Sequence, residues 1–355
     1  MTDTLAEPMD VTTAEDRTGL ELVPARRLLE PRPLVRFELA PGDRILVAPG
    51  DLVTAGLGLA ERQRDPRVDD GPPVALVDDS DRPPLRAGDW WPGDGHEAGG
   101  PLRRRQPRSP AGELLHPTAG RWRIATGAHV DRLEAPAAGS VVDAVPGRGL
   151  TVRMAGHGLP GTFAAGSPTR GRLERVAGEA GLRAALDVGR AGAVLVVDGR
   201  IDSEAIIRAR AMGVRGVIAS GLAGKDLRDL QGSEARQRAS LQPLAPFAVL
   251  VLDGTARRPI AGPVAAILGA LEGREVAITI HPPMLVFEPP AKELVRPADD
   301  RVRILAGELI GREGRWLRAA GLRRFAAGTH LEAAAVALDD GRVAIVPIAD
   351  LERFV

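Results

Sequence analysis

The 355-residue sequence contains no cysteine and no tyrosine, and aromatic residues make up only 3% of it. The absence of cysteine excludes disulfides, thiolate metal sites, iron–sulfur clusters and cysteine nucleophiles. The scarcity of aromatic side chains argues against platforms that stack nucleic-acid bases. Lysine is almost absent as well, because Lys225 and Lys292 are the only two. Arginine therefore carries nearly all of the positive charge.

The sequence also lacks long apolar runs and an excess of charge of either sign. Segments such as "AGAVLVV" are too short to cross a bilayer, and "MTDTLAEPMD" lacks the apolar stretch of a signal peptide. Lys and Arg together number 47, as do Asp and Glu. A balanced chain produces no global field that attracts nucleic acid or a membrane. These features predict a cytoplasmic protein without membrane contact.

The length of the chain predicts several domains, each with its own core. Residues 1–30 are polar and predict a flexible N-terminus. Residues 31–182 contain short apolar runs between Gly, Pro and Asp turns, a pattern that is typical of short strands. Within this region, residues 62–109 are rich in Pro, Arg and Asp and predict a flexible insertion. The insertion would divide one β-domain into two halves.

The segments on either side of the insertion resemble biotinyl/lipoyl-type domains. "EAPAAGSVVDAVPG", residues 134–147, is similar to the first strands of that family, and "VAPGDLVTAGLGLAE", residues 47–61, is similar to a later segment. The resemblance implies a split barrel-sandwich whose halves occur in swapped order. It implies no carrier activity, because the family attaches its group to a lysine and no lysine precedes Lys225.

Residues 183–290 predict an α/β domain with a parallel sheet, because continuous apolar runs alternate with amphipathic segments. The predicted strands are "AGAVLVVDG", "VRGVIASG", "PFAVLVLDG" and "EVAITIH". Ligands of open α/β sheets bind beyond the carboxyl ends of the strands. The candidate ligand-binding rim is therefore Asp198, Gly199, Ser220, Gly221, Asp253, Gly254 and His281.

The rim has two interpretations. Asp198 and Asp253 could hold a hard cation and His281 could act as a base, whereas strand-ending Asp-Gly and Ser-Gly are also ordinary turn chemistry. Elsewhere the sequence has no nucleophile–base motif, no zinc-ligand spacing and no phosphate-binding loop. "IDSEAIIRARAMG" resembles a swivelling phosphohistidine domain, but Glu204 occupies the position of the essential histidine. No catalytic residue, metal site or cofactor is therefore predicted, and the sequence identifies no small-molecule ligand.

Residues 297–355 resemble a KOW-type SH3-like barrel. "RVRILAGELIGREGRW", residues 301–316, has alternating apolar residues followed by three spaced glycines. Members of this family occur in ribosomal proteins and transcription elongation factors, which implies contact with RNA or protein.

Arginine in this segment could supply phosphate contacts. The candidate nucleic-acid-binding residues are Arg301, Arg303, Arg312, Arg315, Arg323 and Arg324. Glu308 and Glu313 lie in the same motif and instead favour a protein-docking or purely structural barrel. Both alternatives stay open at this point.

The whole arrangement resembles uncharacterised bacterial multidomain proteins that combine a biotinyl/lipoyl-like β-domain, an α/β domain and a C-terminal KOW/SH3-like barrel. That resemblance implies an architecture and no activity. The sequence favours a non-catalytic adaptor or scaffold that docks a protein or RNA partner through its small β-barrels. The alternatives are a ligand-binding or enzyme subunit that uses the rim, and a ribosome- or transcription-associated RNA-binding factor.

Overall fold

The computed structural model describes residues 17–39, 42–64, 68–74, 85–93, 109–126, 129–176, 190–239, 246–288, 294, 297–326 and 328–355. Within these residues the protein is mostly β, with five sheets and three α-helices. None of the helices in this part of the chain has the length and hydropathy needed to cross a membrane. The β-rich, multi-sheet character agrees with the fold class predicted from the sequence.

In chain order, the strands of the first part are β1 (Ala25–Arg26), β2 (Glu30–Pro31), β3 (Leu34–Glu38), β4 (Arg44–Ile45), β5 (Leu52–Val53), β6 (Gly58–Arg64), β7 (Val68–Pro73), β8 (Trp90–Trp91), β9 (Gly112–Thr118), β10 (Arg121–Ala125), β11 (His129–Glu134), β12 (Gly139–Val145) and β13 (Gly149–Met154). The later elements are β14 (His157–Pro160), β15 (Phe163–Gly166), β16 (Thr169–Val176), β17 (Ala193–Ile201), α1 (Ser203–Ala211), β18 (Gly216–Leu222), α2 (Gly224–Ala239), β19 (Ala248–Val251), α3 (Gly262–Ala270), β20 (Glu275–Thr279), β21 (Met284–Phe287), β22 (Arg301–Ile304), β23 (Glu313–Arg324), β24 (His330–Leu338), β25 (Val343–Pro347) and β26 (Leu351–Phe354). Short 3-10 helices, Leu20–Leu22 and Ile348–Asp350, precede β1 and β26.

Two small sheets form one unit, which we call the split β-domain. One sheet has the order β3-β13-β12-β5, and the other has the order β11-β6-β4. Both contribute to one hydrophobic core, in which Phe37, Leu59, Val141 and Met154 are buried. Segments that are far apart in the sequence therefore pair with each other to build this unit.

Part of the predicted flexible insertion belongs to a further sheet. β7 and β8 join β9 and β10 in what we call the satellite sheet, whose small core contains Trp122. Trp91 packs against this core, whereas Trp90 is 71% exposed. The prediction of a flexible insertion is thus wrong for residues 68–74 and 85–93, because apolar side chains from β9 and β10 cover a segment that has few of its own. Residues 62–64 of the predicted insertion also belong to a strand, β6, and residues 65–67, 75–84 and 94–108 lie outside the described residues.

The nine-stranded sheet, here called the central sheet, has the order β15-β19-β18-β17-β16-β20-β21-β14-β2. β16, β17, β18 and β19 are mutually parallel, but β20 is antiparallel to β16. Side chains of α1 and α2 pack on one face and those of α3 on the other. The sheet is therefore mixed rather than parallel throughout. It also contains strands β2, β14, β15 and β16, which precede the predicted domain boundary at residue 183. A continuous apolar run indicates a strand buried on both faces, but it does not encode strand direction.

The six-stranded sheet β1-β26-β22-β23-β24-β25 forms what we call the tail domain. Leu20 and Val23 from the beginning of the described chain are buried in its core beside Trp316. β1 pairs in parallel with β26. Residues 17–30 are therefore an integral part of the structure and not the flexible segment that their polarity predicts, since their few apolar residues meet partners at the far end of the chain. Residues 1–16 lie outside the described residues.

Candidate functional site

Three of the four predicted rim segments meet at one end of the central sheet. The parallel pairing of β17 with β18 and of β18 with β19 brings Asp198, Ser220 and Asp253 to the same end. His281 follows β20, which runs in the opposite direction, so it lies at the other end. There its Nε2 atom is 3.6 Å from a carboxylate oxygen of Glu38 in the split β-domain. The prediction that His281 shares the rim is wrong.

The polar rim side chains hold the segment that follows β19, residues 254–261, which we call the rim loop. Oδ1 of Asp198 accepts a hydrogen bond from the N–H of Ile260 at 2.8 Å. Oγ of Ser220 donates to the carbonyl oxygen of Arg258 at 2.5 Å, and Ser220 is fully buried. Both side chains are therefore engaged by the protein's own backbone.

The rim glycines allow close packing and positive φ angles of the backbone at the same end of the sheet. A Cβ atom on Gly221 would lie 2.4 Å from the carbonyl oxygen of Ala256, so only glycine lets the rim loop approach this closely. Gly199 and Gly254 have φ angles of 119° and 70°, which favour glycine. Gly199 does not end its strand, because the pairing of β17 with β18 shifts register there and continues at Arg200.

Asp253 lies at the centre of a buried group of charges, which we call the interdomain cluster: Arg26, Asp253, Arg258, Arg303 and Glu352. Arg26 is 2.5 Å and Arg303 is 3.0 Å from the carboxylate of Asp253, and Arg258 is 3.6 Å away. Glu352 is 3.5 Å from Arg303 and 3.7 Å from Arg26. The side chain of Arg303 is completely buried. The cluster thus joins the tail domain to the rim of the central sheet.

Burial disfavours the ionised carboxyl of Asp253, but the charges of Arg26, Arg303 and Arg258 outweigh it. The pKa of Asp253 therefore lies below its usual value near 3.8. A carboxyl group with a lowered pKa binds its proton less readily in the folded than in the unfolded protein. Its ionised form consequently stabilises the fold.

We expect this contribution of Asp253 to be lost in acid. It is fully present above the pKa of the unfolded state and disappears as the pH falls through the lower pKa of the folded state. We would measure this contribution by urea denaturation of the wild type and of Asp253→Asn from about pH 7 to about pH 2. The difference between their unfolding free energies should shrink below about pH 4. A difference that stays constant over the whole range would contradict the role of the ionised carboxylate.

Two of the predicted nucleic-acid-binding arginines face the central sheet. Because side chains alternate along a strand, Arg301 and Arg303 share one face of β22. Arg303 donates to Asp253 and to the carbonyl oxygen of Pro259 in the rim loop. It is closed to solvent, so the prediction that Arg303 contacts nucleic acid is wrong. Arg301 is held by carboxylates of β23 and of the turn after β24, at 2.9 and 2.7 Å.

The remaining candidates differ in their surroundings. Nε of Arg315 is 2.8 Å from a carboxylate oxygen of Asp300, and 56% of its side chain is exposed. Arg312, Arg323 and Arg324 are all exposed. Arg323 and Arg324 are neighbours near the end of β23, whereas Arg312 precedes this strand. Arg315 lies directly opposite Arg301 and shares its face of the sheet, whereas Arg312, Arg323 and Arg324 lie outside this pairing.

A groove of about 290 Å³ separates the start of α3 from the tail domain. Glu313 lies in it and accepts a hydrogen bond from the N–H of Gly262 at 2.5 Å as well as one from Arg301. Gly311 of the KOW-like motif faces the rim loop, since a Cβ atom on it would lie 3.1 Å from the ring of Pro259. The charged pairs here lie within the tail domain, and the hydrogen bond from Gly262 to Glu313 crosses the groove. In the part of the chain that the structure describes, no group of three or more His, Asp or Glu side chains could hold a metal ion.

β23 and β24 continue beyond the rest of the tail sheet as a two-stranded hairpin. β22 pairs with residues 313–315 of β23, and β25 pairs with residues 333–337 of β24. We call residues 318–326 and 328–332 the hairpin arm, because β24 is the only described strand beside this part of β23 and β23 is the only one beside this part of β24. Leu322 is 62% exposed and Leu331 is 37% exposed.

The register of the hairpin arm distributes apolar and basic side chains over both of its faces. Directly opposed residues share a face in an antiparallel ladder. The opposed pairs are Leu322 with Glu332, Arg323 with Leu331, and Arg324 with His330. One face thus carries Leu322 and Arg324, and the other carries Arg323 and Leu331. Of the residues predicted from the sequence, Arg323 and Arg324 are on this arm, whereas the two exposed leucines were missed although they alternate with polar residues.

The hairpin arm thus combines exposed apolar side chains with exposed basic ones. The rim, in contrast, is closed by the rim loop and by the interdomain cluster. No protein-family model matches the chain, and none of the curated proteins matches it.

Proposed function

We propose that this protein is a non-catalytic, cytoplasmic adaptor that docks a protein or RNA partner through the hairpin arm. The observation that carries the proposal is the 62% exposure of Leu322 beside the exposed arginines 323 and 324. A two-stranded ribbon gains little stability in water by itself. Exposed leucines on both faces of such a ribbon contribute little to folding, and an external contact accounts for them better.

A ligand-binding or enzyme subunit that uses the rim receives less support. Asp198 and Ser220 hold the rim loop, and Asp253 pairs with arginines. His281, the candidate base, is at the opposite end of the sheet. Groups that do not converge on one cavity cannot act together on a substrate. Docking is therefore the better supported function.

We further propose that the tail domain is a KOW-type SH3-like barrel and that the split β-domain is a biotinyl/lipoyl-type barrel-sandwich used as a scaffold. The positive φ angles of Gly307 and Gly311 and the Asp340–Gly341 turn between β24 and β25 support the first assignment. Two small sheets around one core support the second. This combination of domains is the one found in the uncharacterised bacterial multidomain proteins that the sequence resembles. An RNA partner would make the protein a ribosome- or transcription-associated factor.

Replacing the two leucines of the hairpin arm by serine should weaken docking without changing stability. Exposed substitutions alter the free energy of unfolding by less than about 0.5 kcal/mol, whereas loss of an interface anchor lowers affinity by about tenfold or more. The measurement compares partner recovery from an extract of the source cells by the wild type and by Leu322→Ser/Leu331→Ser. Leu52→Ser is the matched control, since Leu52 is 82% exposed on the split β-domain. Recovery of the same protein or RNA in equal amounts by Leu322→Ser/Leu331→Ser and by the control Leu52→Ser would refute docking through the arm.

A further inference from the structure

The hairpin arm has an open strand edge. β24 pairs with β23 as far as Arg324, but on the opposite side β22 reaches only residue 315, and the N–H of Trp316 donates to Asp300. From Ala319 to Arg324, β23 therefore has a described strand on one side only. Such an edge is a template for pairing with another chain.

The hydrogen-bond pattern indicates which backbone groups face this edge. The N–H of Phe325 donates to the carbonyl oxygen of Thr329 at the end of the arm. Hydrogen-bonded and non-hydrogen-bonded pairs alternate along an antiparallel ladder. The backbone N–H and C=O groups of Leu322 and Arg324 consequently point away from β24 and towards the open edge. These are the groups that an added strand would bind.

The side chains along the edge indicate the chemistry of that strand. The side chains of an added strand would fall alternately on the two faces of the arm. Each face carries an exposed arginine near this edge, Arg324 on one and Arg323 on the other. Leu322 and Leu331 supply one apolar contact to each face. A strand with carboxylates on one face and apolar side chains on the other would therefore meet an arginine with the first face and a leucine with the second, whichever way it docks.

We propose, on the basis of the docking function above, that the partner is an acidic, extended segment of another protein that adds as a strand to β23 between Ala319 and Arg324. Main-chain hydrogen bonds supply affinity in this mode of recognition, and side-chain contacts supply specificity. A nucleic acid would use the two arginines but neither the open backbone edge nor the leucines. The observations therefore favour a peptide over a nucleic acid.

A fluorescein-labelled peptide of about eight alternating Glu and Val residues tests this with the full-length protein by fluorescence anisotropy. The wild type should bind it, less tightly as salt is raised. Arg323→Glu/Arg324→Glu should lower the affinity by about tenfold or more, because like charges would then face each other. Arg148→Glu, a charge reversal at an exposed arginine in the β12–β13 turn, should leave it unchanged. Absence of binding at low salt, or equal binding by both charge-reversal variants, overturns the inference.

A second comparison separates strand addition from simple charge attraction. Leu322→Ala keeps the N–H that faces the open edge, whereas Leu322→Pro removes it without removing a bond to β24. The proline variant should bind the peptide about tenfold more weakly than the alanine variant. Equal affinities of these two variants would overturn strand addition.

RNA oligonucleotides in the same assay distinguish this inference from the docking function itself. Binding of RNA that depends on Arg323 and Arg324, without binding of the acidic peptide, overturns the peptide partner and leaves docking through the arm intact. If neither probe binds and partner recovery by Leu322→Ser/Leu331→Ser equals that of the wild type, both proposals are overturned. Binding of the peptide alone, with the variant pattern given above, supports both.

Discussion

Replacement of Asp253 by alanine is expected to lower the free energy of unfolding by about 3–5 kcal/mol. The carboxylate lies within 3.6 Å of three guanidinium groups. Without it, Arg26, Arg258 and Arg303 would remain buried together with Glu352 as their one carboxylate in the interdomain cluster. Buried charges that lose their partner are strongly destabilising, because neither water nor another group compensates them.

Urea denaturation followed by circular dichroism measures this loss at neutral pH. Asp229→Ala is the control, because Asp229 is an exposed aspartate on α2. Its unfolding free energy should stay within about 0.5 kcal/mol of the wild type. A loss for Asp253→Ala no larger than that of the control would show that the cluster does not hold the tail domain on the rim.

The second large effect is expected at Trp316, where alanine should lower the unfolding free energy by about 3–5 kcal/mol. Trp316 is 1% exposed and lies in the core of the tail domain. Leu20 and Val23 belong to the same core. Removal of the indole leaves a cavity that these neighbours fill only in part, so the loss includes both transfer and cavity terms.

Trp90→Ala is the matched control, because the same side chain is 71% exposed on the satellite sheet. Urea denaturation of the two variants compares the removal of one indole from a core with the removal of another from the surface. The control should change the unfolding free energy by less than about 0.5 kcal/mol. Similar losses in the two variants would contradict the burial of Trp316.

Features that depend on a few neighbouring residues were predictable from the sequence. Asp202 caps α1 by accepting a hydrogen bond from the N–H of Ala205 at 2.8 Å, as its position before the amphipathic run predicts. Gly213 follows the helix with a φ angle of 78°. Asp340 and Gly341 connect β24 to β25, as their spacing predicts. Each of these features depends only on residues within one turn or one helix cap.

Features that depend on distant pairing were not predictable. Arg303 is 50 residues from Asp253 in the sequence, and nothing near it indicates that its face of β22 is covered. The direction of β20, which removes His281 from the rim, is set by its partner β16 and not by its composition. Leu20 and Val23 look like isolated apolar residues in a polar segment until the tail domain supplies their neighbours.

The hairpin arm is an intermediate case. The sequence placed Arg323 and Arg324 in one basic segment with the other candidates, but it did not predict the hairpin that β23 and β24 form. Its projection depends on how far β22 and β25 extend beside it, and that is a property of the assembled sheet. The candidate arginines were therefore recognised as a group, but their division between a buried interface and an exposed arm required the structure.

The coupling between Arg303 and Asp253 tests most directly whether the tail domain closes the rim. A double-mutant cycle with Arg303→Met, Asp253→Asn and the combined variant, measured by urea denaturation, gives the coupling free energy. We predict a favourable coupling of about 1–3 kcal/mol, because each substitution removes the partner of the other. Effects that add to within about 0.5 kcal/mol would mean that the two side chains do not meet, and the rim would again be open as a candidate ligand site.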